Sequence, residues 1–147
     1  MRRSGALLLG LLALGRSGSA QVPLWQADLQ VRTLTVSDHG GRLTVKFTVL
    51  SEFGEARAAR VEVLLPVGVG IIEMGTGCRP SASAPGISVL RARVECALGD
   101  LPARARRDIY VVTTRPPNGV RRDFGVIVLS DTPDPRPGNN FAERGVP

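Results

Sequence analysis

The sequence predicts an all-β protein, a sandwich of about seven short strands preceded by a signal peptide. Apolar and polar residues alternate with a period of two along most of the chain, and a helical period of 3.6 residues is nowhere sustained. Clusters of glycine, proline, asparagine and aspartate separate the alternating segments. With 147 residues, 43% of them hydrophobic and 22% charged, the chain has the size and composition of a single globular domain.

The first twenty residues, MRRSGALLLGLLALGRSGSA, have the three-part pattern of a secretory signal peptide. Two arginines precede an unbroken run of apolar residues and glycine from Ala6 to Gly15, and small residues lead up to the cleavage site expected after Ala20. The apolar run is shorter than the ~20 residues that cross a bilayer, and no second such run follows. We therefore expect a secreted, periplasmic or cell-surface protein whose mature chain does not span the membrane.

The basic character of the chain falls when the signal peptide is removed. Of 19 basic residues, three arginines lie within residues 1–20, so 16 remain against 13 acidic residues and the net charge drops from +6 to +3. The densest basic cluster, Arg104, Arg106 and Arg107, is interpreted as a solvated turn before a strand. Aromatic residues make up only 4% of the chain, which gives bases little to stack on. No nucleic-acid partner is predicted.

Six segments alternate in the manner of half-buried strands. They are residues 27–38, 43–50, 58–66, 87–98, 108–114 and 123–130. In the first segment the apolar phase slips by one residue near Thr33, which predicts a bulge or a strand that crosses from one sheet to the other. In four of the others the alternation predicts these inward side chains: Leu43, Val45, Phe47, Val49, Ala59, Val61, Val63, Leu65, Leu90, Ala92, Val94, Cys96, Leu98, Phe124, Val126 and Val128.

The turn signals between these segments recur at the spacing typical of an immunoglobulin-like sandwich. They include DHGG at 38–41, EFGEA at 52–56 and GDLPA at 99–103. Neither a barrel nor an α/β fold accounts for them as well. The predicted organisation is a signal peptide at 1–20, a lead-in at 21–26, the immunoglobulin-like sandwich at 27–141 and a short C-terminal tail at 142–147.

Cys78 and Cys96 are the only cysteines, and in an oxidising compartment such a pair is expected to form a disulfide. Because the strand alternation places Cys96 inward, the bond would fasten a loop to the inner face of a strand. A zinc site is a weaker interpretation, since the chain has one histidine and no CxxC spacing. No cofactor and no metal ligand are predicted.

Two segments have the partial form of cofactor-binding or catalytic motifs. GVGIIEMG at 68–75 starts like a dinucleotide fingerprint, but Glu73 stands where the third glycine is required and no helical pattern follows. Asp38 and His39 fall in a predicted hairpin turn with no nucleophile motif around them. Trp25, the only tryptophan, is expected to pack over a sheet edge. The sequence therefore predicts a protein that is not an enzyme.

An ordered set of motifs resembles the bacterial conserved repeat domain of unknown function, which occurs in surface and secreted proteins. The chain has LPVGV at 65–69, VEC at 94–96 followed by ALGDLPAR at 97–104, and SDTPDPRPGNN at 130–140. They are similar to the LPxGV turn, the ALGDLPAG turn after the second cysteine and the PDPNPGNN close of that family. The resemblance covers about residues 27–141 and implies an immunoglobulin-like sandwich without catalytic residues.

The chain departs from that family's pattern in three respects: it has one copy in place of a tandem array, SEFGEA in place of an NNGP turn, and a shortened final strand. A single copy does not fit the role of a long spacer. We therefore expect a non-catalytic secreted or cell-envelope module that binds a protein or an envelope component. The alternative is a structural component that self-assembles or joins a larger surface protein.

The stretch from Asp131 to Asn140 has two interpretations that stay open. Its prolines stiffen the path and its Asp and Asn side chains can bond to nearby backbone, which predicts a rigid corner. Asp131, Asp134, Asn139 and Asn140 also offer oxygen ligands for calcium, although without the spacing of an EF-hand.

The end of the chain predicts an open sheet edge. After the corner only Phe141 and Val146 are apolar, and glycine and proline weaken any strand there. The strand at 108–114 or at 123–130 would then keep an unpaired edge, able to accept a strand from a partner or from another copy of the chain. Arg121, Arg122 and Asp123 could equally guard this edge by their charge.

Overall fold

The computed structural model describes residues 25–81, 92–120 and 122–146, which form nine strands in two antiparallel sheets. One sheet has the order β1-β2-β7-β4 and the other the order β5-β6-β3-β8-β9. The strands are β1 Leu29–His39, β2 Arg42–Ser51, β3 Ala56–Leu64, β4 Ile71–Met74, β5 Cys78–Ser81, β6 Arg93–Leu101, β7 Arg106–Thr114, β8 Asp123–Leu129 and β9 Phe141–Gly145. The all-β sandwich is thereby confirmed; the signal peptide lies outside the described residues.

Side chains from the inner faces of both sheets form one core. The inward residues predicted for β2, β3 and β8 are all buried, and so are Val94 and Cys96 of β6. Ala92 and Leu98 are partly buried and pack against the core, and Leu90 lies outside the described residues.

The phase slip near Thr33 is a bulge. β1 stays paired with β2 on both sides of it, and the register shifts between Arg32 and Thr35. The sequence predicted either a bulge or a strand that crosses from one sheet to the other, and the second of these predictions is therefore wrong. The extra residue restores the phase, so that Leu34 and Val36 pack against the core as Val31 does.

Three of the nine strands were not predicted from the sequence. β4 lies in the GVGIIEMG segment that was interpreted as a turn, and β5 starts at Cys78. β9 occupies most of the predicted tail at 142–147 and pairs with β8 through five residue pairs. β4 and β5 have four residues each, and β9 buries no side chain completely, so none has a readable alternation.

The predicted open edge is wrong for both candidate strands. β7 lies between β2 and β4, and β8 lies between β3 and β9, so each has a neighbour on both sides. The strands at the margins of the two sheets are β1, β4, β5 and β9. The glycine and charged residues of β9 do not prevent pairing, because a marginal strand needs only one hydrogen-bonded neighbour.

A disulfide joins Cys78 to Cys96. The two residues face each other directly in the β5–β6 register, and their Cα atoms are 3.9 Å apart. The bond therefore links two neighbouring strands of one sheet, where the sequence predicted a link between a loop and a strand. Cys96 is buried in the core.

The segment from Asp131 to Asn140 forms the predicted corner between β8 and β9 and fastens the start of β1. Asp134 accepts hydrogen bonds from the Leu29 backbone N–H at 2.9 Å and from the Arg136 backbone N–H at 2.7 Å. The fully buried Asp28 accepts a hydrogen bond from Asn139 Nδ2 at 2.8 Å. Arg136 Nη1 is also 3.4 Å from Asp28 Oδ2, so the buried carboxylate of Asp28 is both hydrogen-bonded and paired with a charge.

Candidate binding groove on the four-stranded sheet

A groove of about 490 Å³ crosses the outer face of the four-stranded sheet. The strand alternation produces its polar lining, because residues next to the inward-facing ones of β2 and β7 point to solvent. The lining residues are Thr33, Thr35, Lys46, Phe47, Thr48, Asp108, Ile109 and Tyr110. Phe47 and Ile109 are nearly inaccessible, at 2% and 7% exposure, so the polar residues and Tyr110 provide the accessible surface.

The bulge in β1 shapes one wall of the groove. Thr33 has a φ of 51°, a left-handed conformation that a β-branched residue rarely adopts. This conformation costs about 1–2 kcal/mol relative to an ordinary strand conformation. Strained residues of this kind tend to occur at functional sites.

A chain of hydrogen bonds fixes the middle of the groove. The Thr33 hydroxyl donates to Thr48 Oγ1 at 3.2 Å, and the Thr48 hydroxyl donates to Asp108 Oδ1 at 2.6 Å. Three strands are thereby joined by their side chains. Asp108 keeps its second carboxylate oxygen available to a ligand, since no other contact to it occurs among the described residues.

Lys46 lies beside this chain of hydrogen bonds, two residues before Thr48 in β2 and on the same face of the sheet. It is directly opposite Tyr110 in the β2–β7 register, and it is the only lysine of the chain. Its ammonium group has no ion-pair or hydrogen-bond partner within residues 25–81, 92–120 and 122–146. The groove thus presents the Lys46 ammonium as an unpaired hydrogen-bond donor, close to the second carboxylate oxygen of Asp108 as an acceptor.

Tyr110 is held against β4 at the end of the groove. Its hydroxyl donates to Glu73 Oε1 at 2.8 Å. This hydrogen bond raises the pKa of Tyr110 above the ordinary value of 10.0, and the negative charge of Glu73 and partial desolvation act in the same direction. The contact stabilises the fold below the unfolded-state pKa of tyrosine, and its contribution is lost as the pH rises through the folded-state pKa.

We expect an absorbance titration to detect this contact without ambiguity, because Tyr110 is the only tyrosine of the chain. Tyrosinate should form at a higher pH in the folded protein than in the unfolded one. Glu73→Gln should lower the titration midpoint, because it removes the charge that opposes ionisation. Glu95→Gln on the other sheet should leave the midpoint unchanged. Equal midpoints for the wild type and Glu73→Gln would contradict the contact.

A second groove of about 340 Å³ continues the first along the strands. The two share Thr33 and Thr48, and the second is also lined by Arg32, Leu50, Glu52 and Arg106. Arg32 is paired with Glu52 at 3.7 Å. Arg106 has no carboxylate partner among the described residues.

The residues considered from the sequence as catalytic lie elsewhere. Asp38 accepts a hydrogen bond from the Gly41 backbone N–H at 3.0 Å and is 2.9 Å from Arg115. His39 is exposed at the end of β1. Trp25 is 63% exposed and lines a shallow groove beside Pro133, so the prediction that it packs over a sheet edge is not supported.

Of the oxygen atoms considered as calcium ligands, those of the two aspartates have protein partners, whereas the Oδ1 atoms of Asn139 and Asn140 are buried without a hydrogen-bond partner in the described part of the chain. Asp131 is 3.3 Å from Arg60, and both Asp134 oxygens accept backbone hydrogen bonds. Across residues 25–81, 92–120 and 122–146, no three His, Cys, Asp or Glu side chains lie close enough to share a metal ion. No helix in these ranges is long and apolar enough to cross a membrane.

No protein-family model and no curated protein matches the sequence. Solved structures that are similar include the chitin-binding domain of Chi18aC from Streptomyces coelicolor, which is 14% identical, with a TM-score of 0.47 over 70% of this chain and 91% of that one. ChBD2 from Thermococcus kodakarensis KOD1 is also 14% identical, with a TM-score of 0.37 over 69% of this chain and 88% of that one.

Proposed function

We propose that this protein is a non-catalytic binding module of the cell envelope or the extracellular space, and that it holds its partner on the outer face of the four-stranded sheet. The observation that carries the proposal is the fixed hydrogen-bond chain of Thr33, Thr48 and Asp108 beside the unpaired Lys46. Side chains that are already ordered lose little conformational entropy when a ligand binds.

Three observations support a location outside the cytoplasm. The disulfide between Cys78 and Cys96 persists in oxidising compartments. The first twenty residues have the pattern of a secretory signal peptide. The motifs at 65–69, 97–104 and 130–140 resemble a repeat domain of bacterial surface and secreted proteins.

The proposal is tested by retention of envelope components on the immobilised mature protein. Thr48→Arg places a long side chain in the middle of the groove and should abolish retention of the component that the wild type binds. Ala97→Arg is the matched control, because it adds the same side chain to an exposed position of the other sheet. Thermal denaturation of both variants checks folding. Undiminished retention by folded Thr48→Arg would refute the groove as the binding site.

Light scattering on the same samples separates this function from the alternative of a self-assembling structural component. The binding module is expected to be monomeric in the absence of its partner. Concentration-dependent association that Thr48→Arg leaves unchanged would favour the structural role.

A further inference from the structure

We infer that the partner of the groove is a neutral polysaccharide chain lying along the strand direction; this inference rests on the proposed function. The two grooves form one continuous track, since Thr33 and Thr48 line both. The track runs from the pair Lys46–Tyr110 to the pair Leu50–Arg106 in the β2–β7 register. Lys46 and Leu50 are four residue steps apart along β2, a distance of about 14 Å at ~3.4 Å per residue. An open track of this kind suits a section of a linear polymer.

The charges along the track are balanced. Lys46, Arg32 and Arg106 are the cations, and the anions are Glu52, Asp108 and Glu73, the last of which adjoins the track through its hydrogen bond to Tyr110. The lining residues alone carry three positive and two negative groups, and the adjoining Glu73 brings the sum to zero, so the surface has little net charge with which to select a polyanion or a polycation. A neutral ligand with many hydrogen-bonding groups fits this arrangement best.

Donors and acceptors are interspersed along the track in the way that sugar hydroxyls require. Each sugar hydroxyl can both donate and accept, as can the threonine hydroxyls of the track. The Lys46 ammonium is a donor and the second oxygen of Asp108 is an acceptor. The ring of Tyr110 provides an apolar surface against which the C–H face of a sugar ring can pack.

A peptide ligand fits the same surface poorly. Protein interfaces centre on desolvated apolar or aromatic side chains that insert into pockets. The aliphatic and phenyl groups of this track are Phe47, Leu50 and Ile109, and none is more than 7% exposed. Tyr110 alone remains as an aromatic contact in the track, which is enough for one sugar ring but not for the core of a protein interface.

Lys46 is the only lysine of the chain, so the reactivity of its amine provides a direct test of the inference. Acylation of its side chain by an amine-reactive reagent, measured by peptide mass spectrometry, reports occupancy of the track, and a small amine added to the same sample is the internal standard. We expect at least one of cellohexaose, laminarihexaose and mannohexaose to slow Lys46 acylation several-fold at millimolar concentration without changing the standard. Tyr110→Ala should weaken this protection roughly tenfold, as expected for one lost ring contact.

Three results would overturn the inference. They are unchanged acylation with all three neutral hexasaccharides, stronger protection by an oligouronate of the same length, and protection that Tyr110→Ala does not weaken. Different results would refute the proposed function and the proposed ligand class. If envelope retention depends on Thr48 but no neutral hexasaccharide protects Lys46, the binding module stands and its ligand class is wrong; retention by folded Thr48→Arg refutes the binding site itself.

Discussion

Gly54→Ala is expected to lower the free energy of unfolding by about 3 kcal/mol or more, the range of severe steric and backbone substitutions. Gly54 has a φ of 71°, a left-handed conformation that costs a residue with a Cβ about 1–2 kcal/mol. An added Cβ would also overlap the Gln26 carbonyl oxygen and lie 3.1 Å from the Ala27 Cα atom. Backbone cannot yield as a flexible side chain does.

Relief of this overlap would break other interactions. The Asp28 backbone N–H donates to the Phe53 carbonyl at 3.2 Å, and the Glu52 backbone N–H donates to the Asp28 carbonyl at 2.8 Å. Moving the turn away from the start of β1 stretches both, and each such bond contributes about 1 kcal/mol. The two losses add to the conformational cost.

Gly99→Ala is the matched control for this substitution. Gly99 has a φ of 70°, almost the same as that of Gly54, but an added Cβ would meet no atom within 4 Å. Gly99→Ala should therefore lower the free energy of unfolding only by the conformational cost, about 1–2 kcal/mol. Urea denaturation of the two variants measures the difference. Equal losses would show that the close approach of the Gly54 turn to Gln26 does not limit stability.

Reduction of the disulfide is expected to lower the free energy of unfolding by about 3 kcal/mol, because it releases a closed loop in the unfolded chain. Cys78 and Cys96 are separated by 18 residues, and the wild type in its oxidised and reduced forms has the same side chains. The comparison therefore isolates the covalent link from the packing of Cys96 in the core. Denaturation with and without a reductant, with thiol alkylation to confirm the redox state, provides the measurement.

Cys78→Ala supplies the control for reductant effects. It removes the bond and leaves Cys96 buried, so its stability should not depend on the reductant. A wild type that is equally stable in both redox states would contradict a stabilising effect of the closed loop in the unfolded chain.

Side-chain alternation predicted much of the core, and it failed for the short marginal strands β4, β5 and β9. Val45, Phe47 and Val49 are buried as predicted because β2 has neighbours on both sides and one face against the other sheet. β9 has no fully buried residue, so its sequence carries no alternation to detect. β4 is shorter still and has a register shift between Ile71 and Glu73.

The groove was predictable only in part. The outward orientation of Lys46 and Thr48 follows from the alternation of β2. Their partners do not, because Asp108 is 60 residues away from Thr48 and the register of β2 with β7 depends on packing across the whole sheet. The position of Glu73 beside Tyr110 depends on β4, which has no clear strand pattern.

The corner that holds Asp28 has a mechanical consequence. Because Asn139 binds Asp28, β1 and β9 both start at the same end of the sandwich. β9 ends at the opposite end of the sandwich, where the Val146 backbone N–H donates to the Arg122 carbonyl. Tension applied between the two ends of the folded chain would therefore act lengthwise along both marginal strands. The hydrogen bonds of the nine β1–β2 pairs and five β8–β9 pairs would share the load at once, as in shear, and not open one after another as in a zipper.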